Sequence, residues 1–288
     1  MNRLTLAAVV SLALFTASCQ NGADVPSSSG QDAVSSPSAS ATPAAPSPTA
    51  AVSAQPSASA SATPMPEPAK PAEQTIAKTY RMNKNYDIVP IDPNVSNKKV
   101  VLLTFDDGPK EKGMIDGLID TLDKHKAKAI FFVNGYRVKQ HPELLKLIHD
   151  RGQIIGNHSW DHIDLKKESN ASIDKQLGDV QTIVKDTLGF APQFFRPPFG
   201  SSNEYVKEKA KAEHMLFMTW SNGSLDWEEK ETKKTPELVI QKVLDQLHAG
   251  SNILMHELPW TVQALDGLLT ELEEKGYGFV DPRAIEIE

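Results

Sequence analysis

The sequence predicts an α/β fold in which a parallel sheet is covered by helices. Short apolar runs alternate with segments that have helical periodicity, and this unit repeats about seven times over roughly 200 residues. The run from Val100 to Leu103 is apolar and β-branched at its start, as in a parallel strand covered on both faces. Polar residues follow the predicted strand ends, where α/β proteins place ligands. A parallel barrel or an open parallel sheet is therefore expected.

Each predicted helix has apolar residues at helical spacing, a cap or proline at its start, or a glycine past its end. For example, Pro142 opens one helix with Gly152 just after it. The predicted elements in order are a strand that starts with the apolar run 100–103 and is stopped by residues 106–109, a helix carrying Ile115, Leu118, Ile119 and Leu122 and ending near His125, a strand at 129–133, a helix at 142–151, a strand at 153–156, a helix at 169–188, a strand at 194–195, a helix at 203–213, a strand at 215–220, a helix at 235–248, a strand at 253–255, a helix at 262–275 and a strand at 277–280.

The first residues predict export. Residues 1–18 have a basic start and an apolar run that is too short for a spanning helix, which is typical of a signal peptide. Cys19, the sole cysteine, follows directly, so no disulfide forms within a monomer. The segment 16–19 resembles a bacterial lipoprotein box, with Thr16 where Leu is usual, and this resemblance implies a lipidated Cys19. The alternative is ordinary cleavage with a spare thiol.

The composition divides the rest of the chain. Residues 19–78 are rich in Ala, Ser and Pro and predict a disordered linker, because such a segment buries too little apolar surface. Residues 79–98 are expected to form an arm on the folded domain at 99–288. The net charge of −7 argues against a nucleic-acid partner and against electrostatic docking to a membrane. We expect a monomer.

Seven polar side chains lie just beyond predicted strand ends. In a barrel these ends form one mouth, and scattered surface residues would not sort in this way. The seven are Asp106, Asp107, His158, His162, Arg196, Asp226 and His256.

Two histidines in this set are four residues apart and would share a face if their loop turned helically. His158 and His162 together with the carboxylate of Asp107 make a common catalytic zinc set, although the histidine pair alone is as readily a surface coincidence. Asp106 is then free to act as a base.

The other three residues suggest partners for proton transfer. Arg196 could hold a carboxylate bidentately, or form a salt bridge at the rim. His256 could act as a general acid oriented by Asp226, and its alternative is a satisfied core histidine.

Five ordered segments resemble the polysaccharide deacetylase family, the NodB-homology carbohydrate esterases of family four, over about residues 99–282. The segments are Thr-Phe-Asp-Asp-Gly-Pro at 104–109, His-Ser-x-x-His at 158–162, Arg-Pro-Pro-Phe at 196–199, Asp-Trp at 226–227 and Leu-Met-His at 254–256.

The resemblance implies a distorted (β/α)7-8 barrel with a divalent metal, zinc or alternatively cobalt, nickel or manganese. It also implies a role for each site residue. The implied roles are metal ligation by Asp107, His158 and His162, a base Asp106 kept in place by Arg196, an acid His256 tuned by Asp226, acetyl-pocket walls Trp227 and Leu254, and an oxyanion-stabilising backbone N–H at Phe199.

Two positions depart from the family pattern. Phe199 replaces a more usual Tyr, which is harmless if only its backbone N–H acts. Gly223 stands where an Asp is common, which bears on substrate preference.

The expected function is metal-dependent removal of acetyl from N-acetylated amino sugars of a cell-surface polysaccharide, with peptidoglycan favoured. We expect the protein to be exported and lipid-anchored to the membrane, facing the cell wall. Within the enzyme class, the alternatives are a chitin-oligosaccharide deacetylase, action on N-acetylmuramic residues or other exported glycans, or an O-acetyl esterase. The alternative class is a non-catalytic glycan-binding lipoprotein, which would need neither Asp106 nor His256.

Overall fold

A computed structural model of the chain describes residues 76–94, 96–228 and 235–287. The predicted signal peptide at 1–18, Cys19 and the linker up to residue 75 lie outside the described residues. Within the described ranges, no helix is both long and apolar enough to cross a bilayer.

The elements alternate between strands and helices from residue 100 onward. The strands are β1 Tyr80–Met82, β2 Ile88–Pro90, β3 Val100–Gly108, β4 Ala129–Val133, β5 Ile154–Asn157, β6 Phe194–Phe195, β7 Leu216–Phe217, β8 Asn222–Gly223, β9 Ser251–His256 and β10 Gly278–Phe279. The α-helices are α1 Lys112–Lys124, α2 Gly135–Gln140, α3 Pro142–Asp150, α4 Asn170–Leu188, α5 Glu204–Ala212, α6 Pro236–Asp245 and α7 Pro259–Glu274.

The main sheet is parallel and curls into a distorted barrel. Its strand order is β7-β6-β5-β4-β3-β9-β8, and β10 also pairs with β3. The irregular segment 218–221, between β7 and β8, joins the two edges of this sheet. The Met218 N–H donates to Phe195 O at 2.9 Å, and the Ser221 N–H donates to Asn252 O at 3.1 Å. The predicted distorted β/α barrel is therefore confirmed.

The two faces of β3 contact different parts of the core because side chains alternate along a strand. Val101, Leu103 and Phe105 belong to the larger cluster, which also contains buried residues of α1, α3 and α7. Val100 and Leu102 belong to a second cluster with side chains of β4 and β6. Thr104 and Asp106 continue that second, inner face, so its carboxyl end is polar although it is buried.

Three of the differences between the predicted elements and the structure lie near the polar end of the sheet. β3 continues to Gly108 instead of stopping at Asp106, and its pairing with β4 shifts register between Phe105 and Gly108. The strand predicted at 215–220 is only β7, because the chain leaves β6 after Met218 to reach β9. α2 was not predicted, since its six residues are too few to show a helical period.

The predicted arm at 79–98 contains a small antiparallel pair, β1 with β2. Ile88 in this pair is fully buried, and its N–H donates to Gly250 O at 2.8 Å. A Cβ on Gly250 would lie 2.5 Å from Ile88 O, and Gly250 has φ +89°, so only glycine fits this contact. The arm is thus hydrogen-bonded to the segment that precedes β9.

Candidate active site

Parallel strands bring the predicted site residues to one end of the sheet. Asp106 and His256 are register partners on β3 and β9. His158 follows the last residue of β5, and Arg196 follows β6. Asp226 lies three residues beyond β8. Residues far apart in sequence therefore share one mouth.

Three side chains in this mouth could hold a metal ion. The ligand atoms of Asp107, His158 and His162 all lie within 4.8 Å of one another. Asp107 Oδ1 is 3.0 Å from His162 Nε2 and 3.4 Å from His158 Nε2, yet this buried oxygen has no hydrogen-bond partner within the described ranges. An orphaned carboxylate oxygen facing two imidazole nitrogens fits a divalent cation.

The chemistry of these side chains also suits a cation. Burial acts to raise the pKa of Asp107, but its interactions with the His158 and His162 rings outweigh burial and hold this pKa well below its ordinary value. His158 Nδ1 donates to Arg196 O at 2.7 Å, since a carbonyl can only accept. This leaves Nε2, which lies 3.4 Å from Asp107 Oδ1, as the nitrogen that could ligate a cation, as in many metal-ligating histidines.

Left-handed backbone turns aim these side chains. The φ angles are +67° at Asp107, +64° at Ser159, +57° at His162 and +60° at Phe199, all unfavourable for residues with a Cβ. Such strain persists where the surroundings enforce it, and it clusters at functional sites. The loop at 158–162 does not turn helically: residues with left-handed backbone, not a helical repeat, bring the two histidines together.

Arg196 and Asp106 form a buried ion pair. Arg196 is fully buried, Asp106 is 2% exposed, and Nη1 lies 2.7 Å from Oδ1. The same nitrogen donates to Thr104 Oγ1 at 2.8 Å, while Nη2 donates to Asn252 Oδ1 at 3.1 Å. The guanidinium also lies 4.4 Å from the centroid of the Phe132 ring.

The arginine therefore contacts the carboxylate through one nitrogen and not through a bidentate fork. The reason is that the amide oxygen of Asn252 occupies the second nitrogen. Asp106 Oδ2 is left 3.6 Å from His158 Nε2, facing the metal-ligand set.

The carboxylate of Asp226 fixes the orientation of the His256 ring. Its Oδ1 lies 2.7 Å from His256 Nδ1, and its Oδ2 accepts from the His256 N–H at 2.8 Å and from Thr261 Oγ1 at 2.6 Å. Burial acts to lower the pKa of His256, but the hydrogen bond to Asp226 and the nearby negative charges outweigh burial and raise this pKa. His256 is thus favoured as an imidazolium.

Aromatic rings flank the mouth. Phe199 is 65% exposed, and its ring centroid is 4.7 Å from that of His162. Trp227 is 36% exposed and 5.2 Å from the His256 ring. Leu254 is 3% exposed and lies two residues before His256, on the same face of β9. An added Cβ at Gly223 would be 3.3 Å from the Trp227 ring. The Trp227 ring therefore occupies the space that a larger side chain at position 223 would need.

Three polar side chains beside this mouth were not predicted. Glu257 follows His256 and is 1% exposed; burial raises its pKa to about 7. Lys110 and Arg137 are half-buried and lie close enough to Glu257 for their charges to act on it. The sequence signal was weak, because an acid after a histidine and single basic residues in loops and short helices are common.

Comparison with known proteins agrees with this geometry. The profile of the family described as Polysaccharide deacetylase matches residues 94–217. The chain is 36% identical over 220 residues to the peptidoglycan-N-acetylglucosamine deacetylase PgdA of Listeria monocytogenes, covering 75% of this chain and 46% of PgdA. It is 35% identical over 197 residues to the peptidoglycan-N-acetylmuramic acid deacetylase PdaC of Bacillus subtilis, covering 68% and 40%.

Solved structures show the same likeness. A peptidoglycan N-acetylglucosamine deacetylase superposes with a TM-score of 0.59 at 33% identity, covering 64% of this chain and 86% of the other. A carbohydrate esterase family four pseudoenzyme from Bacillus anthracis gives a TM-score of 0.60 at 30% identity, covering 66% and 68%.

The chain spans less than half the length of PgdA and PdaC, whereas it covers most of the solved deacetylase domain at more than 30% identity. The fold, the ordered motifs and these likenesses agree: the chain belongs to the polysaccharide deacetylase family, the NodB-homology group of carbohydrate esterase family four.

Proposed function

We propose that the protein is a metal-dependent deacetylase that hydrolyses the N-acetyl group of amino sugars in peptidoglycan. One observation carries this proposal. Asp106 and His256, a carboxylate held by a buried arginine and an imidazole held by a buried aspartate, are register partners beside the Asp107-centred cation site. A base and an acid on either side of a reacting carbonyl are what amide hydrolysis needs.

The reaction divides into two proton transfers. Asp106, kept in place by Arg196, takes a proton from the attacking water as it adds to the acetyl carbon. His256 then gives the proton on Nε2 to the sugar nitrogen as the C–N bond breaks. The proton on His256 Nδ1 stays on the ring and remains hydrogen-bonded to Asp226. Acetate and a free amine leave. A divalent cation, when bound, would polarise the acetyl oxygen and lower the pKa of the water.

Asp107, His158 and His162 would hold the cation. Two imidazoles and one carboxylate are a frequent set for catalytic zinc, with open positions for water and substrate. We propose zinc on this basis, with cobalt, nickel or manganese as alternatives for the same donors.

An anionic glycan fits the charges at the mouth better than a neutral one. Lys110 lies close enough to Asp107, Glu257 and Arg137 for their charges to act on its ammonium group. Among the described residues, neither Lys110 nor Arg137 forms an ion pair, and Arg137 Nε is buried without a partner. Two cations without an ion-pair partner beside the mouth favour peptidoglycan, which carries carboxylates, over uncharged chitin oligomers.

The names of the relatives support the same substrate class, and they differ in the sugar. PgdA is named for N-acetylglucosamine and PdaC for N-acetylmuramic acid. Chitin-oligosaccharide deacetylation and O-acetyl ester hydrolysis stay as alternatives for the same acid and base. A non-catalytic glycan-binding role is the alternative of another class, and one of the similar structures is itself named a pseudoenzyme.

We further propose that the protein is exported and anchored to the cell membrane through a lipid on Cys19, facing the cell wall. Support comes from the apolar run before Cys19 and the Ala/Ser/Pro-rich segment after it. In cells, Cys19→Ala should move the protein from the membrane fraction to the medium with the same specific activity. A variant that stays in the membrane fraction would contradict the lipid anchor.

The experiment that tests the activity is acetate release. Purified protein is incubated with peptidoglycan or chitotetraose, after chelation and after addition of Zn²⁺ or Co²⁺, and acetate and the deacetylated sugar are measured. We expect metal-dependent release, faster from peptidoglycan. Binding of glycan without any acetate release would support the glycan-binding alternative instead.

A further inference from the structure

Glu257 is a buried carboxylate that the proposed reaction does not use. It is 1% exposed and directly follows His256 at the end of β9. Its Oε2 accepts a hydrogen bond from the Lys110 backbone N–H at 2.8 Å, and its Oε1 is buried without any partner among the described residues. Buried acids with an unpaired oxygen are costly and need an explanation.

The carboxylate lies against the turn that follows Asp107. A Cβ built on Gly108 would be 1.9 Å from Glu257 Oε1 and 2.7 Å from its Cδ, so the side chain lies directly on the Gly108 backbone. From the neighbouring strand, the Asn134 N–H donates to Gly108 O at 2.9 Å. The backbone after Asp107 is thus held between β4 and the end of β9.

This restraint acts where the backbone is least favourable. Asp107 has φ +67°, a conformation that a residue with a Cβ keeps only when its surroundings enforce it. An apolar side chain at 257 would fill the same space without the cost of burying a carboxylate. It would, however, leave the Lys110 N–H without its acceptor, and buried backbone donors are almost always paired.

We propose that Glu257 is a positioning residue that fixes the turn from Asp107 to Lys110 and thereby the orientation of Asp107 as a metal ligand. The proposed reaction assigns Glu257 no contact with the substrate or with the reacting atoms. Because it is adjacent to His256, it also ties the segment that carries the acid to the turn that carries the ligand. The inference rests on Asp107 ligating the metal, as proposed above.

The test is the metal affinity of two variants of similar volume. Glu257→Gln keeps an oxygen that can accept from the Lys110 N–H, whereas Glu257→Met fills the space without an acceptor. Apo-protein is titrated with Co²⁺ and followed by its visible absorption. We expect Glu257→Met to bind Co²⁺ about 10–100-fold more weakly, as for lost outer partners of metal ligands, and Glu257→Gln to stay within a few-fold of the unchanged protein.

Leu268→Ala is the control for general loss of packing. Leu268 is fully buried on α7 and belongs to the larger core cluster, so its truncation should lower Tm while leaving Co²⁺ affinity unchanged. If Glu257→Met binds Co²⁺ as tightly as the unchanged protein, Glu257 only fills space and the inference is wrong. The same conclusion follows if Glu257→Gln and Leu268→Ala weaken Co²⁺ binding as much as Glu257→Met does.

A double substitution provides a second, independent measurement. Gly108→Ala alone should weaken Co²⁺ binding, because its Cβ collides with the Glu257 carboxylate. In a Glu257→Ala background the collision is gone, so the same substitution should cost several-fold less. Equal effects in both backgrounds would contradict the contact.

The inference and the proposed activity can fail separately. If Co²⁺ binding follows these expectations but the unchanged protein releases no acetate, the proposed activity is refuted and this inference stays intact.

Discussion

Asp226→Asn is the substitution that most sharply tests how His256 is held. Asp226 Oδ2 accepts from two donors, the His256 N–H and the Thr261 hydroxyl, so the amide oxygen of an asparagine must stay there. Its NH₂ group then replaces Oδ1, 2.7 Å from His256 Nδ1. An N–H at this place can only donate, which favours neutral imidazole over imidazolium.

The magnitude follows from the hydrogen bond that is lost. A hydrogen bond to a charged group contributes about 1.5–3 kcal/mol and a neutral one about 0.5–1.5 kcal/mol, so the difference is about 1–1.5 kcal/mol. Solvent screening is weak, because the Asp226 side chain is fully buried and that of His256 is 12% exposed. Since one pKa unit corresponds to about 1.4 kcal/mol, the pKa of His256 should fall by about one unit.

The assay is the pH dependence of kcat/KM for acetate release. The protonated acid is present below the pKa of His256, and activity is lost as pH rises through that pKa. A lower pKa should therefore move the alkaline limb of the profile to lower pH by about one unit, with metal content unchanged. Asp281→Asn, at an acid whose side chain pairs with Arg283 near the end of the chain, is the control. An unmoved alkaline limb in Asp226→Asn would refute the assignment of this limb to His256.

Three further predictions address the metal, the buried pair and the substrate. His158→Ala should lose bound metal by elemental analysis while keeping its far-UV circular dichroism, and retained metal would contradict its role as a ligand. Arg196→Met leaves Asp106 buried without its cation, so urea unfolding should show a loss of about 3–5 kcal/mol, and a loss below about 1 kcal/mol would show that the pair is dispensable. Lys110→Met should lower kcat/KM several-fold on peptidoglycan but not on chitotetraose, whereas Lys112→Met, at an exposed residue, should change neither. Equal losses on both glycans would remove Lys110 from the substrate argument.

Much of the fold could be predicted because its signals are local. β4 has the predicted bounds Ala129–Val133, since five consecutive apolar residues at a buried strand leave little alternative. α4 begins after Ser169, whose side chain accepts from the Ser172 N–H, and ends at Gly189 with φ +89°, as capping chemistry predicts. The convergence of the polar residues could also be predicted, because the carboxyl ends of parallel strands lie at one end of the sheet.

The features that could not be predicted depend on contacts between distant segments. The single contact between Arg196 and Asp106 results from Asn252, a neighbour supplied by β9. β7 is short because the chain leaves β6 after Met218, and the Ser221 N–H then donates to Asn252 O of β9. Likewise, the burial of Glu257 depends on how closely the end of β9 approaches Gly108. No pattern within one segment reports such distances.

The central claim is that two adjacent aspartates have different tasks, one as base and one as metal ligand. The measurement that tests it most directly compares metal content and acetate release in Asp106→Asn and Asp107→Asn. We expect Asp106→Asn to keep its metal and to lose about 10²-fold or more of its activity, and Asp107→Asn to lose its metal. Loss of metal from Asp106→Asn with Asp107→Asn still loaded, or full activity in Asp106→Asn, would contradict the account.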